Sequence, residues 1–265
     1  MLPCRAGAAS RAASPSGSDV GGGLGLSNVY FIRHGQAGTR EAYDSLSALG
    51  RRQARLLGGH LASQGVEFSA AYAGGLARQR QTAEGVARAY AEAGLAFPEV
   101  ATKRGWDEFD FHGIYTELAP LLCADDEEFR REFEEVSGLV SAGGREAEVH
   151  RQWRPSDTKV VEAWAGGRYP YAGETWGQFV ARVSACRLVA REGPPRENVA
   201  VFTSATPTAV WTARALGIDD GRIRRLASVL ENTSYTVLQL RADETLLLTF
   251  NAVPHLLRPE LRTRR

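Results

Sequence analysis

Lysine is almost missing: Lys103 and Lys159 are the only two among 32 basic residues, which leaves 30 arginines. Arginine is therefore so common that an arginine-rich patch carries little meaning, and only one in a specific context counts. Cysteine is scarce as well. Cys4, Cys123 and Cys186 form no C-x-x-C pair and are too few for a disulfide framework, so a reducing compartment is the default and a cytoplasmic location is expected. No uninterrupted apolar run approaches the roughly 20 residues needed to span a bilayer. Neither sign of charge is in excess. With a formal net charge of +1, no global field draws the chain to nucleic acid or an anionic membrane. What is present suits a globular chain: 265 residues, 43% of them hydrophobic, enough for a sizeable core in one large domain or two small ones.

Residues 1–27 are rich in Ala, Gly, Ser and Arg with one acid, Asp19, too little apolar surface to offset the entropy of ordering. Disorder is expected there. An organelle transit peptide shares this bias, but a tag remnant or a misplaced start codon in a GC-rich genome is the plainer account. The run Gly21-Gly22-Gly23-Leu24-Gly25 precedes the first strand and lacks a Gly-Lys-Ser/Thr ending, so it reads as linker and not as a phosphate loop.

Val29-Tyr30-Phe31-Ile32 is a buried strand leading into Arg33-His34-Gly35. Ser47 is placed to cap a helix carrying Leu49, Ala54, Leu57 and Leu61 at helical spacing up to Gly65. A second strand at 68–72, Gly74-Gly75, and a helix at about 76–93 follow. Val199 to Thr203 is the clearest later strand, running through Ser204 into a helix from Pro207. Strands near 235–240 and 246–250 complete the pattern. The expectation is a three-layer α/β domain over 28–257 with a mostly parallel sheet and helices on both faces, then a basic tail at 258–265. Residues 113–172 read as a helical cap insertion, with one amphipathic helix from Asp125 to Leu139 and a loop-like aromatic stretch holding Trp153, Trp164, Tyr169 and Tyr171.

An α/β sheet of this kind carries its reactive groups on loops at the carboxyl ends of strands. Arg33 and His34, Arg78, and Ser204 occupy three such loops, and Glu108 in Trp106-Asp107-Glu108-Phe109-Asp110 can join from a fourth. Guanidinium forks match phosphoryl oxygens, a neutral imidazole is a nucleophile, and a carboxylic acid can protonate a leaving alkoxide. Together they make a phosphoryl-transfer site that needs no metal or organic cofactor. Composition alone yields Arg-His-Gly about 0.06 times per chain by chance, so the tripeptide is only suggestive. Two other readings use the same residues. Strand–Ser204–helix suggests a hydrolase nucleophile elbow, although Phe202 and Thr206 stand where that motif demands glycine. Glu108, Asp110 and His112 alternate and would share one face of a strand as metal ligands.

The joint pattern resembles the histidine phosphatase superfamily, also called phosphoglycerate-mutase-like. It comprises Arg33-His34-Gly35-Gln36, then Asp44-x-Leu46-Ser47-x-x-Gly50-x-x-Gln53-Ala54, and Leu76-Ala77-Arg78 through Thr82-Ala83-Glu84. Trp106-Asp107-Glu108, Gly173-Glu174-Thr175, Asn251 and His255-Leu256 follow in order. The resemblance implies His34 as the nucleophile that becomes phosphohistidine, Arg33 and Arg78 as the phosphoryl clamp, and Glu108 as general acid and then base, with Asp107 and Asp110 as its rivals. It implies a phosphorylated small-molecule substrate and phosphomonoester hydrolysis, with mutase-type transfer as another outcome. One departure is large. Ser204 stands where the family usually has a second histidine, and Ala73-Gly74 stands where a serine is common. Serine can still donate to a phosphoryl oxygen but brings no charge, so turnover is expected to be weakened, or lost in a phospholigand-binding relative. His60 and His150 have no partner in these motifs, and His255 is expected to be structural.

Overall fold

In the first strand the residues alternate between two buried environments. Val29 and Phe31 face one side of a sheet while Ile32 faces the other, and both sides are covered. The computed structural model describes residues 27–38, 44–141, 155–186, 197–241 and 244–264. The expectations for the N-terminal segment up to residue 26, and for His150 and Trp153, lie outside those residues. The order of elements is β1 (Ser27–Arg33), α1 (Ala48–Ser63), β2 (Phe68–Ala73), α2 (Ala77–Glu92), β3 (Val100–Thr102), α3 (Phe111–Asp125), α4 (Glu127–Ser141) and α5 (Pro155–Ala165). It continues with α6 (Trp176–Ala185), β4 (Asn198–Thr203), α7 (Ala205–Leu216), α8 (Ile223–Val229), β5 (Tyr235–Leu240) and β6 (Thr245–Ala252).

The six strands form one sheet in the order β3-β2-β4-β1-β5-β6. The pairs β3–β2, β2–β4 and β4–β1 are parallel, while β5 runs antiparallel to β1 and to β6. The sheet is therefore mostly parallel, with an antiparallel hairpin at one edge. On one face Ile32, Ala73 and Phe202 meet Leu57 and Leu61 of α1 and Val86 and Tyr90 of α2. On the other, Phe31 stacks on Trp211 of α7 at 5.7 Å and meets Trp106 edge-on at 5.6 Å. Burying side chains of this size contributes roughly 2–3 kcal/mol each, so these rings fix the sheet against its cover.

Several elements follow directly from local chemistry. Ser47 caps α1 by accepting from the Gly50 N–H at 3.0 Å. Helix α7 starts at Ala205, two residues before the expected Pro207, with Ser204 as its N-cap. Proline is tolerated there because a first-turn N–H has no partner within the helix. The stretch expected as one helix from Asp125 is two. Asp126 adopts an extended conformation (φ −132°, ψ 104°), ends α3, and caps α4 by accepting from the Phe129 N–H at 2.9 Å. Part of the supposed loop beyond is helical too, since Trp164 lies in α5 and its indole N–H donates to the Glu174 carbonyl at 3.0 Å. Helices α3, α4 and α5 pack together and share one hydrophobic cluster with Trp106. Among the described residues no helix is long and apolar enough to cross a membrane.

Candidate active site

The carboxyl ends of β1, β4 and β2 are neighbours, so the loops leaving them share one rim. Arg33 pairs with Thr203 in the β1–β4 register, the His34 N–H donates to the Thr203 carbonyl at 2.8 Å, and the Gly74 N–H donates to the Phe202 carbonyl at 3.1 Å. His34, Ser204 and the first turn of α2 are thereby brought together. The exit loop from β1 is held tightly. A Cβ on Gly35 would fall 2.5 Å from the Gly50 carbonyl oxygen, and one on Gly50 would fall 2.2 Å from that of Gln36, so glycine at both positions lets the loop lie on the start of α1.

His34 is buried, and its ring nitrogens are distinguished by their partners. Nδ1 lies 2.8 Å from the Gly35 carbonyl, which can only accept, so Nδ1 carries the proton. Nε2 is then the lone-pair nitrogen, and it accepts from Arg78 Nε at 3.2 Å. Burial first, then the positive charges of Arg78 and Arg33, hold the imidazole pKa well below 6.5. The ring is neutral at physiological pH, with its lone pair on Nε2. Behind it, the His34 carbonyl accepts from Asn232 Nδ2 at 3.0 Å and from the Thr233 N–H at 3.3 Å. Thr233 adopts φ +56°, a left-handed conformation unfavourable for a β-branched residue, so this support is built at a cost in strain.

The charges of Arg78 and Arg33 both act on the ring, and Arg78 bonds it through Nε. Arg78 comes from the first turn of α2, and its Nη1 pairs with Asp44 Oδ1 at 3.1 Å while Asp44 Oδ2 accepts from the Ala77 N–H at 3.1 Å. Arg33 donates through Nη1 to the Leu230 carbonyl and through Nη2 to the Arg264 carbonyl at 3.0 Å. Residues 261–264 are tied to the same corner. Gln53 Nε2 donates to the Leu261 carbonyl at 2.7 Å, the Asn232 N–H donates to the Thr263 carbonyl at 2.7 Å, and Thr263 Oγ1 donates to Asn232 Oδ1 at 2.8 Å. The segment read as a basic tail thus lies beside Arg33.

The three acids of the 106–110 loop have different employments. Asp110 caps α3 by accepting from the Gly113 N–H at 3.0 Å. Asp107 accepts from the Gly75 N–H, and burial raises its pKa. Glu108 is the one that joins the site. Its Oε2 accepts from the Thr206 N–H at the start of α7 at 3.1 Å, and burial raises its pKa against the lowering effects of Thr206 and Arg78. The loop is braced from α6. Arg182 grips Glu174 through two bonds of 2.7 and 2.8 Å and donates through Nη1 to the carbonyls of Arg104, Gly105 and Asp107 at 3.0–3.2 Å.

Ser204 is buried, and its Oγ accepts from Gln79 Nε2 at 2.9 Å. The same Nε2 lies 3.2 Å from the Trp106 carbonyl, which Thr203 Oγ1 also reaches at 2.6 Å. Gln79, Asp44, Asn232 and Thr233 were not assigned from sequence. Gln79 sits one residue after Arg78 in a helix and reads there as an ordinary polar position. Asn232 and Thr233 lie 198 and 199 positions from His34, where no local pattern could reveal them.

The two other readings of these residues fail on geometry. Ser204 has φ −118° and ψ −177°, ordinary extended backbone without the strain of a nucleophile elbow. The alternation of Glu108, Asp110 and His112 is not on a strand, because Asp110 caps α3 and His112 is an exposed residue of its first turn. Among the described residues no group of three or more His, Cys, Asp or Glu could hold a metal ion. His255 is buried with Nε2 2.9 Å from Thr233 Oγ1, and burial lowers its pKa to about 3. His60 stacks loosely on it at 6.2 Å, outside the site.

Comparison with solved structures gives the same architecture. A mutant phosphoserine phosphatase from Entamoeba histolytica, bound to phosphoserine, is 16% identical with a TM-score of 0.56, covering 87% of this chain and 100% of that one. A phosphoglycerate mutase from Bacillus anthracis is 18% identical with a TM-score of 0.55, over 87% and 95% of the two chains. The α-ribazole phosphatase from Shigella flexneri is 17% identical with a TM-score of 0.53, over 85% and 96%. A comparison with curated protein sequences gives no significant match. The family model of the histidine phosphatase superfamily (branch 1) matches residues 29–120 and 125–253. With the Arg33-His34-Gly35 loop at the end of β1 and that match over most of its length, the chain belongs to the histidine phosphatase superfamily.

Proposed function

We propose that this protein hydrolyses a small-molecule phosphomonoester through a phosphohistidine on His34. The observation that carries the reading is the fixed imidazole, proton on Nδ1 against the Gly35 carbonyl and lone pair on Nε2 facing Arg78, with the charge of Arg33 also acting on the ring. Substrate enters with its phosphoryl oxygens taken by Arg33 and Arg78. The Arg78 Nε–His34 Nε2 bond opens as Arg78 turns to the phosphoryl group, releasing the lone pair for in-line attack. The P–N bond forms and the P–O bond breaks, and Glu108, whose burial shifts it toward the neutral acid, gives its proton to the leaving alkoxide. In the second half Glu108 takes a proton from water, the hydroxide attacks phosphorus, and the P–N bond breaks to return neutral His34 and free phosphate. Ser204 contributes a hydrogen bond to a phosphoryl oxygen. None of these steps draws on a metal or an organic cofactor.

A second reading is favoured by one specific feature. Ser204 supplies no charge at the rim, so the clamp could hold a phosphorylated ligand while chemistry is slow. Preorganised donors of this sort are worth roughly 3–4 kcal/mol, or a factor of 10²–10³ in rate. Turnover of an aryl phosphate separates the two. Hydrolysis by the wild type and its loss in His34→Ala is the expected result. Equal rates in both would refute the His34 mechanism, and phosphate binding with no turnover in either would favour the ligand-binding reading. Nothing in the site favours the mutase outcome, which requires the phosphoryl group to be held and returned while water is excluded.

A further inference from the structure

The Gln79 side chain can be oriented without ambiguity, and its orientation fixes that of Ser204. Gln79 Oε1 accepts from the Leu76 N–H at 3.3 Å, a group that can only donate. Gln79 Nε2 faces the Trp106 carbonyl at 3.2 Å, a group that can only accept. The amide therefore cannot be flipped, and the 2.9 Å contact with Ser204 must run from Nε2 to Oγ. Ser204 is the acceptor there. Its own proton has to go elsewhere, and among the described residues it meets no acceptor.

The usual duty of an N-cap serine is also closed to it. Such a serine accepts from the second or third N–H of its helix. In α7 the second is Thr206, whose N–H is taken by Glu108, and the third is Pro207, which has none. The Ser204 hydroxyl is buried, capped from behind by Gln79 and unused by the helix. Gly74 belongs to the same arrangement. A Cβ at that position would fall 1.9 Å from Gln79 Oε1 and 2.7 Å from Asp107 Oδ1, so a serine at 74 would force the Gln79 amide out of its present place. Ser204 and Gly74, the latter part of the Ala73-Gly74 departure, are thus joined through one glutamine.

We propose that Gln79 is a positioning residue that commits the Ser204 hydroxyl to donate its proton to a phosphoryl oxygen, standing in for the hydrogen bond of the absent second imidazole. The inference rests on the phosphoryl-binding reading of the site. It makes Gly74, Gln79 and Ser204 one unit, in which altering one residue removes the function of the next.

The test is a double-mutant cycle on the full chain, read as the dissociation constant for inorganic phosphate by calorimetry and as kcat on an aryl phosphate. A hydrogen bond to a charged acceptor is worth about 1.5–3 kcal/mol, so Ser204→Ala is expected to weaken phosphate binding about tenfold or more. Gln79→Leu should do much the same, and the double variant should be no worse than either single one. In Gln79→Glu the carboxylate would take the Ser204 proton, so this variant should bind phosphate more weakly than Gln79→Leu. That difference should shrink when Ser204 is already alanine, leaving only the repulsion between the two anions. Gly74→Ser, which displaces the glutamine, should resemble Gln79→Leu. Additive penalties, or a Gln79→Glu defect undiminished without Ser204, would overturn the inference while leaving the phosphatase reading intact. Should Gln79→Leu fail to fold, the Glu and Gly74→Ser variants carry the same comparison. Absence of phosphate binding by the wild type would remove the functional reading, and this inference with it.

Discussion

Replacing Arg182 by methionine isolates the brace behind the acid loop. The substitution keeps an unbranched stem over the Phe179 ring, 5.1 Å from the present guanidinium, and deletes the fork. Lost with it are two charged bonds to Glu174 and three donations to the carbonyls of Arg104, Gly105 and Asp107. The pair is neither buried nor free in solvent, since the Arg182 and Glu174 side chains are 28% and 33% exposed. Its contribution therefore falls between the 0–1 kcal/mol of a surface pair and the 3–5 kcal/mol of breaking a buried one, at about 2–3 kcal/mol with the carbonyl bonds included. For a domain of this size that lowers the Tm by about 5–10 °C. The functional effect should be selective. Glu108 loses its fixed position, and misplacement of about 1 Å costs on the order of 10²-fold, so kcat should fall at least about tenfold. Arg33 and Arg78, the proposed phosphate clamp, stand on β1 and α2, so the inhibition constant of inorganic phosphate should change by less than about twofold. Calorimetric melting and steady-state kinetics on one preparation read both quantities. An unchanged kcat in a clearly destabilised variant would refute the assignment of Arg182 to the acid loop.

Three further outcomes are expected. Because His34 titrates well below 6.5 and Glu108 above the ordinary 4.5, the active pairing of neutral base and protonated acid should persist at mildly acidic pH. A rate profile measured in kcat/KM should lose its alkaline limb in Glu108→Gln, and an unaltered limb would assign that titration to another group. His255, lowered to about 3 by burial, cannot take up the proton that it binds in the unfolded chain below about pH 6.5. Stability should therefore decline as pH falls from 6.5, and His255→Gln should flatten that decline by about 1.4 kcal/mol per pH unit in denaturation curves between pH 4 and 6. Equal slopes would contradict the burial argument. Removing residues 259–265 takes away the partners of Gln53 Nε2 and one carbonyl held by Arg33. Phosphate affinity should drop along with the Tm, whereas a loss of Tm alone would show the segment to be a structural latch only.

What the sequence disclosed, and what it did not, follows the range of the interactions involved. Strands β1, β2 and β4 and the Ser47 cap of α1 are local patterns, legible from alternation and from one side chain reaching three residues ahead. The three residues of β3, Val100 to Thr102, are too few to show a period. The break between α3 and α4 was hidden because Asp126 lies among acids that also suit a solvated helix face, and only its extended backbone shows it to be a cap. His34, Arg33, Arg78, Glu108 and Ser204 were named from strand ends and motifs, and the spacing from Trp106 favoured Glu108 over Asp107 and Asp110. Illegible were their different hydrogen-bond partners, the Gly113 N–H for Asp110, the Gly75 N–H for Asp107 and the Thr206 N–H for Glu108. Gln79, Asn232 and the segment at 261–264 were illegible for the same reason, since each acts through a bond to a residue distant in the chain.

The central claim concerns one bond, between His34 Nε2 and phosphorus. The most direct measurement mixes wild type and His34→Ala with a reactive phosphodonor, quenches in alkali where phosphohistidine survives, and weighs the intact chains by mass spectrometry. The expected result is a single phosphate on the wild type only, with free phosphate accumulating as Glu108 completes the second half-reaction. No adduct on the wild type, or an equal adduct on His34→Ala, would contradict it.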